Sequence, residues 1–458
     1  MKFLKLIKKE KNIDLILNGN IFKALMSLAI PVMINSFLQT MYNLTDTFWL
    51  GRLGTDELGA INLVSPVQSI VVNFGSGITV AGSVLIARYV GAKKFEEARK
   101  MANQIFACAM IFSVVCATLL ALFTPAIVTW LGAEGDLKTY AIKYLQLVIL
   151  DMPFLYTVNI YASVNQAQGD TVRPMLLNLI GITINMIFDP LCIVTFHMGV
   201  QGAALATVFA KAVPAGIAFR MLNKADMPVH LELKKLKFEK EKLSDILTVG
   251  LPSAIGGSTM QFGFLLMSKN VLEYGSTAMA AYGIGNKVNG LITLPVNGIG
   301  SAVATIVSQN LGAGKLERAK KTYLEAMGFA IVFLLVGGFI LSRTPISKAI
   351  VSVFTTDEDV IVLATEFFSI LAFWCFTNGV YNPTLGLFQG SGHTEVTMAV
   401  DVIRLWGFRF ATLYFCERVL NMGVESIWYS VVVSNGLAAL CLFIVYLTGY
   451  WKKSRIKD

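Results

Sequence analysis

Two aspartates, Asp46 and Asp189, lie inside long apolar stretches of the sequence, where an ionisable side chain is energetically costly. Asn35, Gln39, Tyr42 and Asp46 follow one another at intervals of 4, 3 and 4 residues, so they form one polar stripe on a helix. Such a stripe must face protein or water rather than a nonpolar solvent. The spacing therefore predicts a helix whose polar face contributes to an interior site.

Asn185 and Asp189 in the segment NMIFDPL are four residues apart and share a helical face. Counting the helical rise along three predicted spans places Asp46, Asp189 and Thr207 at a similar depth, in the outer half of a membrane. Carboxylate, amide and hydroxyl oxygens suit Na⁺, whereas two neighbouring carboxylates in a low dielectric favour uptake of a proton. The sequence predicts one site for H⁺ or Na⁺ at Asp46, Asn185, Asp189 and Thr207, with no other cofactor, and leaves the choice of ion open.

Each acid also has a structural interpretation. In that interpretation Asp46 is a helix-end carboxylate that reaches the outer interface and pairs with Arg52, and Asp189 belongs to a buried ion pair or to a helix end. The polar stripe that precedes Asp46 would then have no role, and this favours the ion-binding hypothesis.

Asp151, in the segment LVILDMPFL, and Lys287 are further charged residues within apolar stretches. Together with the stripe residues Asn35, Gln39 and Tyr42, they are candidates to line a substrate cavity. The neighbours of Asp151 form no polar stripe, so its functional and structural interpretations are balanced. Lys287 is expected to support the structure or to cap a cavity rather than to bind a ligand directly.

The composition predicts an integral membrane protein. Of 458 residues 55% are hydrophobic and 15% charged, and the mean hydropathy is +0.64; a soluble domain carries more charge than this. Apolar runs long enough to cross a hydrocarbon core of about 30 Å recur along the chain. They predict spans near residues 22–49, 57–86, 102–130, 139–165, 174–197, 202–222, 244–270, 278–308, 323–343, 361–388, 396–416 and 425–450.

The charged residues predict the orientation of these spans. Most of the lysines and arginines behind the net charge of +9 lie in alternate connections beside the spans, as the positive-inside rule requires. This pattern predicts a multi-pass protein of the cell membrane with both termini in the cytoplasm, and it gives no reason to expect a nucleic-acid partner. The six cysteines lie singly in apolar runs and are interpreted as core residues.

The two halves of the chain are related by a repeat. At a constant offset of 221 residues, ARYVGAKKFEEARK falls on SQNLGAGKLERAKK, and Pro31 falls on Pro252. An even number of spans per half keeps both repeats in one orientation. We therefore predict an all-α membrane protein with 12 transmembrane helices in two pseudo-symmetric six-helix bundles: an N-lobe (1–222), a cytoplasmic linker (223–243) and a C-lobe (244–458).

The repeat does not carry the polar stripe. At the same offset its four positions fall on Gly256, Met260, Gly263 and Met267. The charged residues within the second-half spans are largely cationic, and the spacing of Asp401 and Arg404 favours a local helical ion pair. The cation site is therefore predicted in the N-lobe alone.

Several segments resemble the multidrug and toxic compound extrusion (MATE) transporters of the MOP flippase superfamily, and together they span nearly the whole chain. They are LAIPVMINSFLQTMYNLTDTFWLGRLGTDELGAINL, GSVLIARYVGAKKFEEARK, NMIFDPL, LGAGKLERAKK and LFQGSGHT. The resemblance implies two six-helix bundles around a central cavity that opens alternately to each side. It also implies export of organic, commonly cationic and amphipathic compounds in exchange for H⁺ or Na⁺.

The family's N-lobe cation site maps onto Asp46, Asn185, Asp189 and Thr207, the set reached from depth alone. The expected partners are small drug-like molecules and the lipid bilayer, and the expected state is a monomer.

Other classes of protein were weighed against this resemblance. A flippase for lipid-linked precursors shares the architecture, and Lys287, Arg404 and Arg409 keep it open because its cavity should be cationic. A membrane-embedded enzyme has no visible catalytic cluster, and neither a P-loop nor an HExxH motif occurs in the sequence, so no enzyme is predicted. A major facilitator would also show six-plus-six repeats, but the matched GA-x-K patterns argue against it.

Overall fold

A computed structural model describes residues 9–51, 53–224 and 227–453, and it leaves the side chains at 9–11, 44, 47 and 55 undescribed. The described part does not include residues 1–8, Arg52 or residues 454–458. The predicted Asp46–Arg52 pair and the predicted cytoplasmic termini therefore lie outside the described residues. The described regular elements are all helical, and the predicted all-α class is confirmed.

The α-helices are α1 (Lys9–Asn18), α2 (Ile21–Leu50), α3 (Thr55–Gly91), α4 (Phe95–Trp130), α5 (Gly135–Val148), α6 (Met152–Ala167), α7 (Val172–Pro190), α8 (Gly199–Leu222), α9 (Lys240–Leu272), α10 (Ser276–Gly312), α11 (Leu316–Leu341), α12 (Thr344–Val351), α13 (Glu358–Trp374), α14 (Thr377–Gly390), α15 (Thr394–Val402), α16 (Phe410–Arg418) and α17 (Glu425–Leu447).

Most of the predicted spans correspond to single long apolar helices. Within the described residues, nine spans are long and apolar enough to cross a membrane, one of them formed by α5 and α6 together, and the pair α13 and α14, bent by 57°, makes a tenth. The other two predicted spans correspond to α9, which is rich in glycine, serine and threonine, and to the broken segment from α15 to α16.

Contacts divide the chain into two units. Unit 1 comprises the described residues of Met1–Ile13 and Ile34–Ala254, and unit 2 those of Asp14–Met33 and Ile255–Asp458. The division passes through α2 just after Pro31 and through α9 just after Pro252, which are equivalent positions in the repeat. The lobes predicted from sequence keep each of these helices whole, whereas the contact units divide both of them.

Local breaks in the helices coincide with the charged residues of the apolar segments. A short 3₁₀ turn, Ile149–Asp151, separates α5 from α6, and a π-helical turn, Leu191–Thr195, follows Pro190 at the end of α7. In unit 2, the π-helical turn Ile403–Arg409 joins α15 to α16. Such turns depart from the regular ladder of backbone hydrogen bonds and are frequent at functional sites.

Unit 1 combines an apolar core with one close helix contact beside its polar face. The core includes Ile61, Val64, Leu145 and Ile149, all nearly or fully buried. A Cβ atom added to Gly181 on α7 would lie 2.8 Å from the carbonyl oxygen of Ala210 on α8. Glycine at this position therefore permits the close approach of these two helices.

The connection 223–243 packs on unit 1. Arg99 on α4 donates from its Nε to the Pro228 carbonyl oxygen at 2.9 Å. The Asn103 side chain exchanges hydrogen bonds with the backbone of Glu232, donating at 3.2 Å and accepting at 2.8 Å. The described part of the predicted linker is thus held against the start of α4.

Candidate cation site

Unit 1 contains a polar cavity of about 270 Å³ between α2, α6, α7 and α8. Its lining is rich in amide side chains, with one lysine and no acidic residue of its own. The lining residues are Asn35, Gln39, Tyr42, Leu155, Val158, Asn159, Asn178, Gly181, Ile182, Asn185, Thr207, Ala210, Lys211 and Pro214.

The carboxyl groups of Asp46 on α2 and Asp189 on α7 are neighbours and interact directly. Asp189 and Asn185 are each only 1% exposed. Within the described part of the chain, neither Asp189 oxygen and neither Asn185 amide atom makes a hydrogen bond of ordinary geometry. Buried polar atoms without partners are rare in proteins and require an explanation. Carboxyl and amide oxygens in such a position are able to share a proton or to coordinate a cation.

Thr207 and Tyr42 extend this group of oxygen atoms. The Thr207 hydroxyl donates to the Ala203 carbonyl oxygen at 3.1 Å, which leaves its own oxygen able to accept a hydrogen bond or to coordinate a cation. The Tyr42 hydroxyl is a neighbour of Thr207 and lies within electrostatic reach of Asp46 and Asp189. The structure thus brings together the four residues of the predicted cation site from α2, α7 and α8.

The other residues of the predicted stripe line the same cavity. The Asn178 amide on α7 donates to the Asn35 side-chain oxygen on α2 at 3.0 Å. Gln39 donates at 3.4 Å to Asn43 on its own helix. The face predicted from the spacing of polar residues is therefore the face of α2 that borders the cavity.

Lys211 is a charged residue of the site that sequence reasoning missed. Its ammonium group on α8 donates to a carboxylate oxygen of Asp151 and forms an ion pair with it. Asp151 is completely buried, whereas the Lys211 side chain is 29% exposed and lines the cavity. The available signal was a lysine one helical turn beyond Thr207 within an apolar span.

Lys287, the remaining predicted cavity residue, belongs to a different part of the molecule. It lies on α10 in unit 2, its side chain is exposed, and it is not among the residues that line the unit 1 cavity. Of the predicted cavity residues, Asn35, Gln39 and Tyr42 line this cavity, whereas Asp151 and Lys287 do not. Asp151 reaches it only through its ion pair with Lys211.

The unit 2 counterparts of Tyr42 and Asp46, Gly263 and Met267, lie in apolar and closely packed surroundings. A Cβ atom added to Gly263 would lie 1.6 Å from a methyl carbon of Leu405, and Met267 is fully buried. No room exists at Gly263 for a side chain like that of Tyr42, its counterpart in the repeat. This packing agrees with the loss of the polar stripe in the second half.

Two of the cationic residues in the second-half spans, Arg404 and Arg409, have protein partners. Arg404 lies 3.1 Å from Asp401, so the predicted local ion pair is confirmed. The Arg404 guanidinium also lies 4.6 Å from the centre of the Tyr381 ring, and the Tyr381 hydroxyl donates to Asp401. Arg409 is 3% exposed and donates to Ser434 at 3.0 Å.

Metal ligation within the described residues is limited to what the acid pair offers. No group of three or more histidine, cysteine, aspartate or glutamate side chains is arranged there to hold a metal ion. A Na⁺ ion at Asp46 and Asp189 would therefore also need the neutral oxygens of Asn185 and Thr207. A proton needs only one carboxyl oxygen.

Known proteins resemble this chain along nearly its whole length. Multidrug export protein MepA of Staphylococcus haemolyticus is 25% identical over 430 residues, which cover 93% of this chain and 94% of that protein. A crystal structure of MATE in complex with MaL6 has a TM-score of 0.90 at 25% identity, covering 96% of this chain and 98% of that one.

A MOP superfamily transporter from Pyrococcus furiosus has a TM-score of 0.89 at 25% identity, covering 97% of this chain and 99% of that one. That structure is described as having a binding pocket of reverse polarity, which suggests a different function for that transporter. The MatE family model matches residues 31–191 and 252–415. These two segments are the repeats predicted from sequence, and together they make up well over half of the chain. The protein therefore belongs to the MatE family, the MATE transporters of the MOP superfamily.

Proposed function

We propose that this protein is a secondary active multidrug efflux antiporter. It exports organic, cationic and amphipathic compounds in exchange for H⁺ or Na⁺, and the exchanged cation binds at Asp46, Asn185, Asp189 and Thr207. It acts as a monomer in the cell membrane with both termini in the cytoplasm. The observation that carries the proposal is the neighbouring pair of carboxyl groups, Asp46 and Asp189, beside the buried amide of Asn185, which makes no hydrogen bond of ordinary geometry within the described residues.

The chemistry of the acid pair supports cation exchange. Two carboxylates that approach each other in a region of low dielectric repel, and a proton or a cation between them removes that repulsion. An acid pair without a bound cation would attract a cationic compound, whereas a neutralised pair would not. Competition of this kind links uptake of the ion to release of the drug.

The course of α2 supports a route from the site to the rest of the molecule. Asp46 lies on the later part of α2, which belongs to unit 1. The earlier part of the helix, which includes Pro31, belongs to unit 2. Proline inside a helix removes one backbone hydrogen bond and favours a bend. Ion binding that changes the contacts of Asp46 would bend or reseat α2 near this residue.

Coupling requires that the ion bind one conformation more tightly than the other. Each elementary charge that moves down 100 mV supplies about 2.3 kcal/mol, and the concentration gradient of the ion adds to this. The net driving force depends on the charge of the exported compound, since an exported cation opposes an imported one.

The names of relatives support the assignment of substrates. The MepA protein of Staphylococcus haemolyticus is named a multidrug export protein, and its similarity extends over nearly all of both chains. A cavity lined by amides, a tyrosine, one lysine and aliphatic side chains offers hydrogen bonds and apolar contact, which suits varied ligands.

The alternative, a flippase for lipid-linked precursors, would need cationic groups free to bind an anionic headgroup. Of the three cations that keep this alternative open, Arg404 pairs with Asp401 and Arg409 donates to Ser434, whereas Lys287 is exposed. Two of the three are therefore already engaged by the protein.

The proposal is tested in proteoliposomes that contain the purified full chain and a fluorescent organic cation. A pH gradient and a Na⁺ gradient are imposed separately. We expect at least one gradient to drive efflux, and Asp46→Asn to abolish the gradient-driven component. Asp56→Asn, which alters an exposed acid at the start of α3, serves as the control and should retain it. Full gradient-driven efflux by Asp46→Asn, or efflux that depends on neither gradient, would refute the proposal.

A further inference from the structure

The second-half spans contain a buried guanidinium group whose hydrogen-bond partners are all neutral. Arg409 ends the π-helical turn Ile403–Arg409 and is 3% exposed. Its Nε donates to the Ser434 hydroxyl at 3.0 Å, and its Nη2 donates to the Asn435 side-chain oxygen at 3.1 Å. Within the described part of the chain, the ionisable groups within electrostatic reach of Arg409 are Arg404 and Tyr282, and no carboxylate is among them. The positive charge of Arg409 therefore has no protein counter-charge there.

The third nitrogen of this guanidinium group also lacks an acceptor. Among the described residues, the buried Nη1 of Arg409 makes no hydrogen bond. An arginine side chain stays protonated in proteins, so the group cannot become neutral by releasing a proton. A charge that is buried without a counter-charge is strongly destabilising. A negatively charged acceptor at Nη1 would relieve both deficits.

Tyr282 on α10 provides a second donor in the same part of unit 2. It is 4% exposed, and its hydroxyl makes no hydrogen bond of ordinary geometry within the described residues. The neighbouring Asn286 side chain donates instead to the backbone carbonyl oxygen of Tyr282 at 2.9 Å. The Tyr282 ring stacks on Phe367 and Trp428, with ring centres 5.6 Å and 6.3 Å away. This stacking holds the hydroxyl within electrostatic reach of Arg409.

We propose that Arg409 and Tyr282 bind a small monovalent anion, such as chloride, inside unit 2. Guanidinium N–H and phenol O–H groups both donate hydrogen bonds, and a halide ion accepts bonds from several donors. A water molecule at Nη1 would accept one bond but would leave the charge of Arg409 uncompensated. Since both residues are almost completely buried, a monatomic anion suits the site better than a large organic one.

The anion site is independent of the proposed cation exchange. Arg409 and Tyr282 belong to unit 2, whereas Asp46 and Asp189 belong to unit 1. An anion bound only by the folded protein stabilises the fold by mass action. We therefore expect chloride to act as a structural ligand of the second-half spans.

Chloride binding is measured on purified full-length protein in detergent, as the shift in thermal unfolding temperature when gluconate is replaced by chloride. The pH, the cation concentration and the ionic strength are kept constant. Gluconate is the reference anion because it is too large for a buried site. We expect both chloride and bromide to stabilise the wild type in a saturable manner.

Tyr282→Phe keeps the stacked ring and removes the hydroxyl, so it should weaken chloride binding at least about tenfold, as the loss of a hydrogen bond to an ion predicts. Tyr323→Phe is the matched control, because Tyr323 is also buried in unit 2 and its hydroxyl contacts Thr384 at 3.0 Å; it should retain the wild-type affinity. Arg409→Gln should abolish saturable binding. If Arg409→Gln does not fold, Tyr282→Phe and its control decide the question.

Equal stability of the wild type in chloride and in gluconate would overturn the proposal and would leave water as the partner of Nη1. Wild-type affinity in Tyr282→Phe or in folded Arg409→Gln would place the anion elsewhere and contradict the inference. Crystals soaked in bromide locate the ion directly: an anomalous peak is expected within hydrogen-bond distance of Arg409, and bromide peaks only at other positions would refute the site. Because these measurements use neither drug nor gradient, failure of the efflux experiment would leave their result intact.

Discussion

Removal of Lys211 alone should destabilise the protein far more than removal of the whole ion pair. In Lys211→Met the Asp151 carboxylate stays completely buried and loses its partner. Breaking a buried ion pair in this way costs about 3–5 kcal/mol. The loss of unfolding free energy cannot exceed about 4 kcal/mol, because that is the cost of protonating an ordinary carboxyl at pH 7, after which no buried charge remains. We therefore expect a loss of about 3–4 kcal/mol at pH 7, and less than about 1 kcal/mol when Asp151→Asn is added.

The assay is reversible unfolding of purified protein in mixed micelles, followed by circular dichroism at pH 7. Lys321→Met is the matched control, since it breaks an exposed pair with Glu325 at 3.9 Å and should cost less than about 1 kcal/mol. Equal stability of Lys211→Met and the double variant would refute the reasoning, because it would mean that Asp151 does not need its partner.

Further predictions concern helix packing, the buried side-chain amide of Asn185 and the linker. Gly181→Ala should lower the free energy of unfolding by about 1–3 kcal/mol and slow efflux, because its Cβ would meet a carbonyl oxygen of α8. Gly216→Ala is the control: its Cβ would meet nothing within 4 Å, so it should be neutral or slightly stabilising in the same unfolding assay. Asn185→Leu should weaken gradient-driven efflux at least about tenfold if the buried amide stabilises the bound cation; unchanged efflux would exclude that role. Arg99→Met should speed proteolysis of the connection 223–243, because it removes a bond to the Pro228 carbonyl; an unchanged cleavage rate would show that the other contacts suffice.

The polar stripe and the common level of the two acids could be predicted because they depend on regularities of a single helix. Four side chains at intervals of 4, 3 and 4 residues must share a face, and the rise per residue fixes their level. The structure accordingly places Asp46 beside Asp189 and lines a cavity with Asn35, Gln39 and Tyr42. Whether these residues bind a cation stays a prediction until it is measured.

Other features could not be predicted because they depend on contacts between distant segments. Lys211 and Asp151 are 60 residues apart, and neither has a local pattern that indicates the other. Tyr144 on α5, which lies within electrostatic reach of Asp46 and Asp189, is an ordinary aromatic residue in sequence. The helix predicted over 361–388 is instead α13 and α14, bent by 57°, since hydropathy reports the length of an apolar segment and not its direction.

The repeat likewise predicts which positions of the two halves are equivalent, but not which helices contact each other. It aligns Pro31 with Pro252, but it does not indicate that α2 and α9 each divide between two units just after these prolines. Contact between helices depends on side-chain shape at many positions, which a repeat offset does not specify.

The most direct test of the cation site measures ion release when drug binds. An organic cation is added to weakly buffered, purified protein in the absence of any gradient, and released H⁺ and Na⁺ are recorded together. If Asp46 and Asp189 hold the coupling ion, the wild type should release cation in proportion to bound drug. Asp46→Asn with Asp189→Asn should bind the organic cation more weakly and release no ion at any drug concentration. Drug binding by the wild type without release of either ion, or undiminished release by the double variant, would contradict the account.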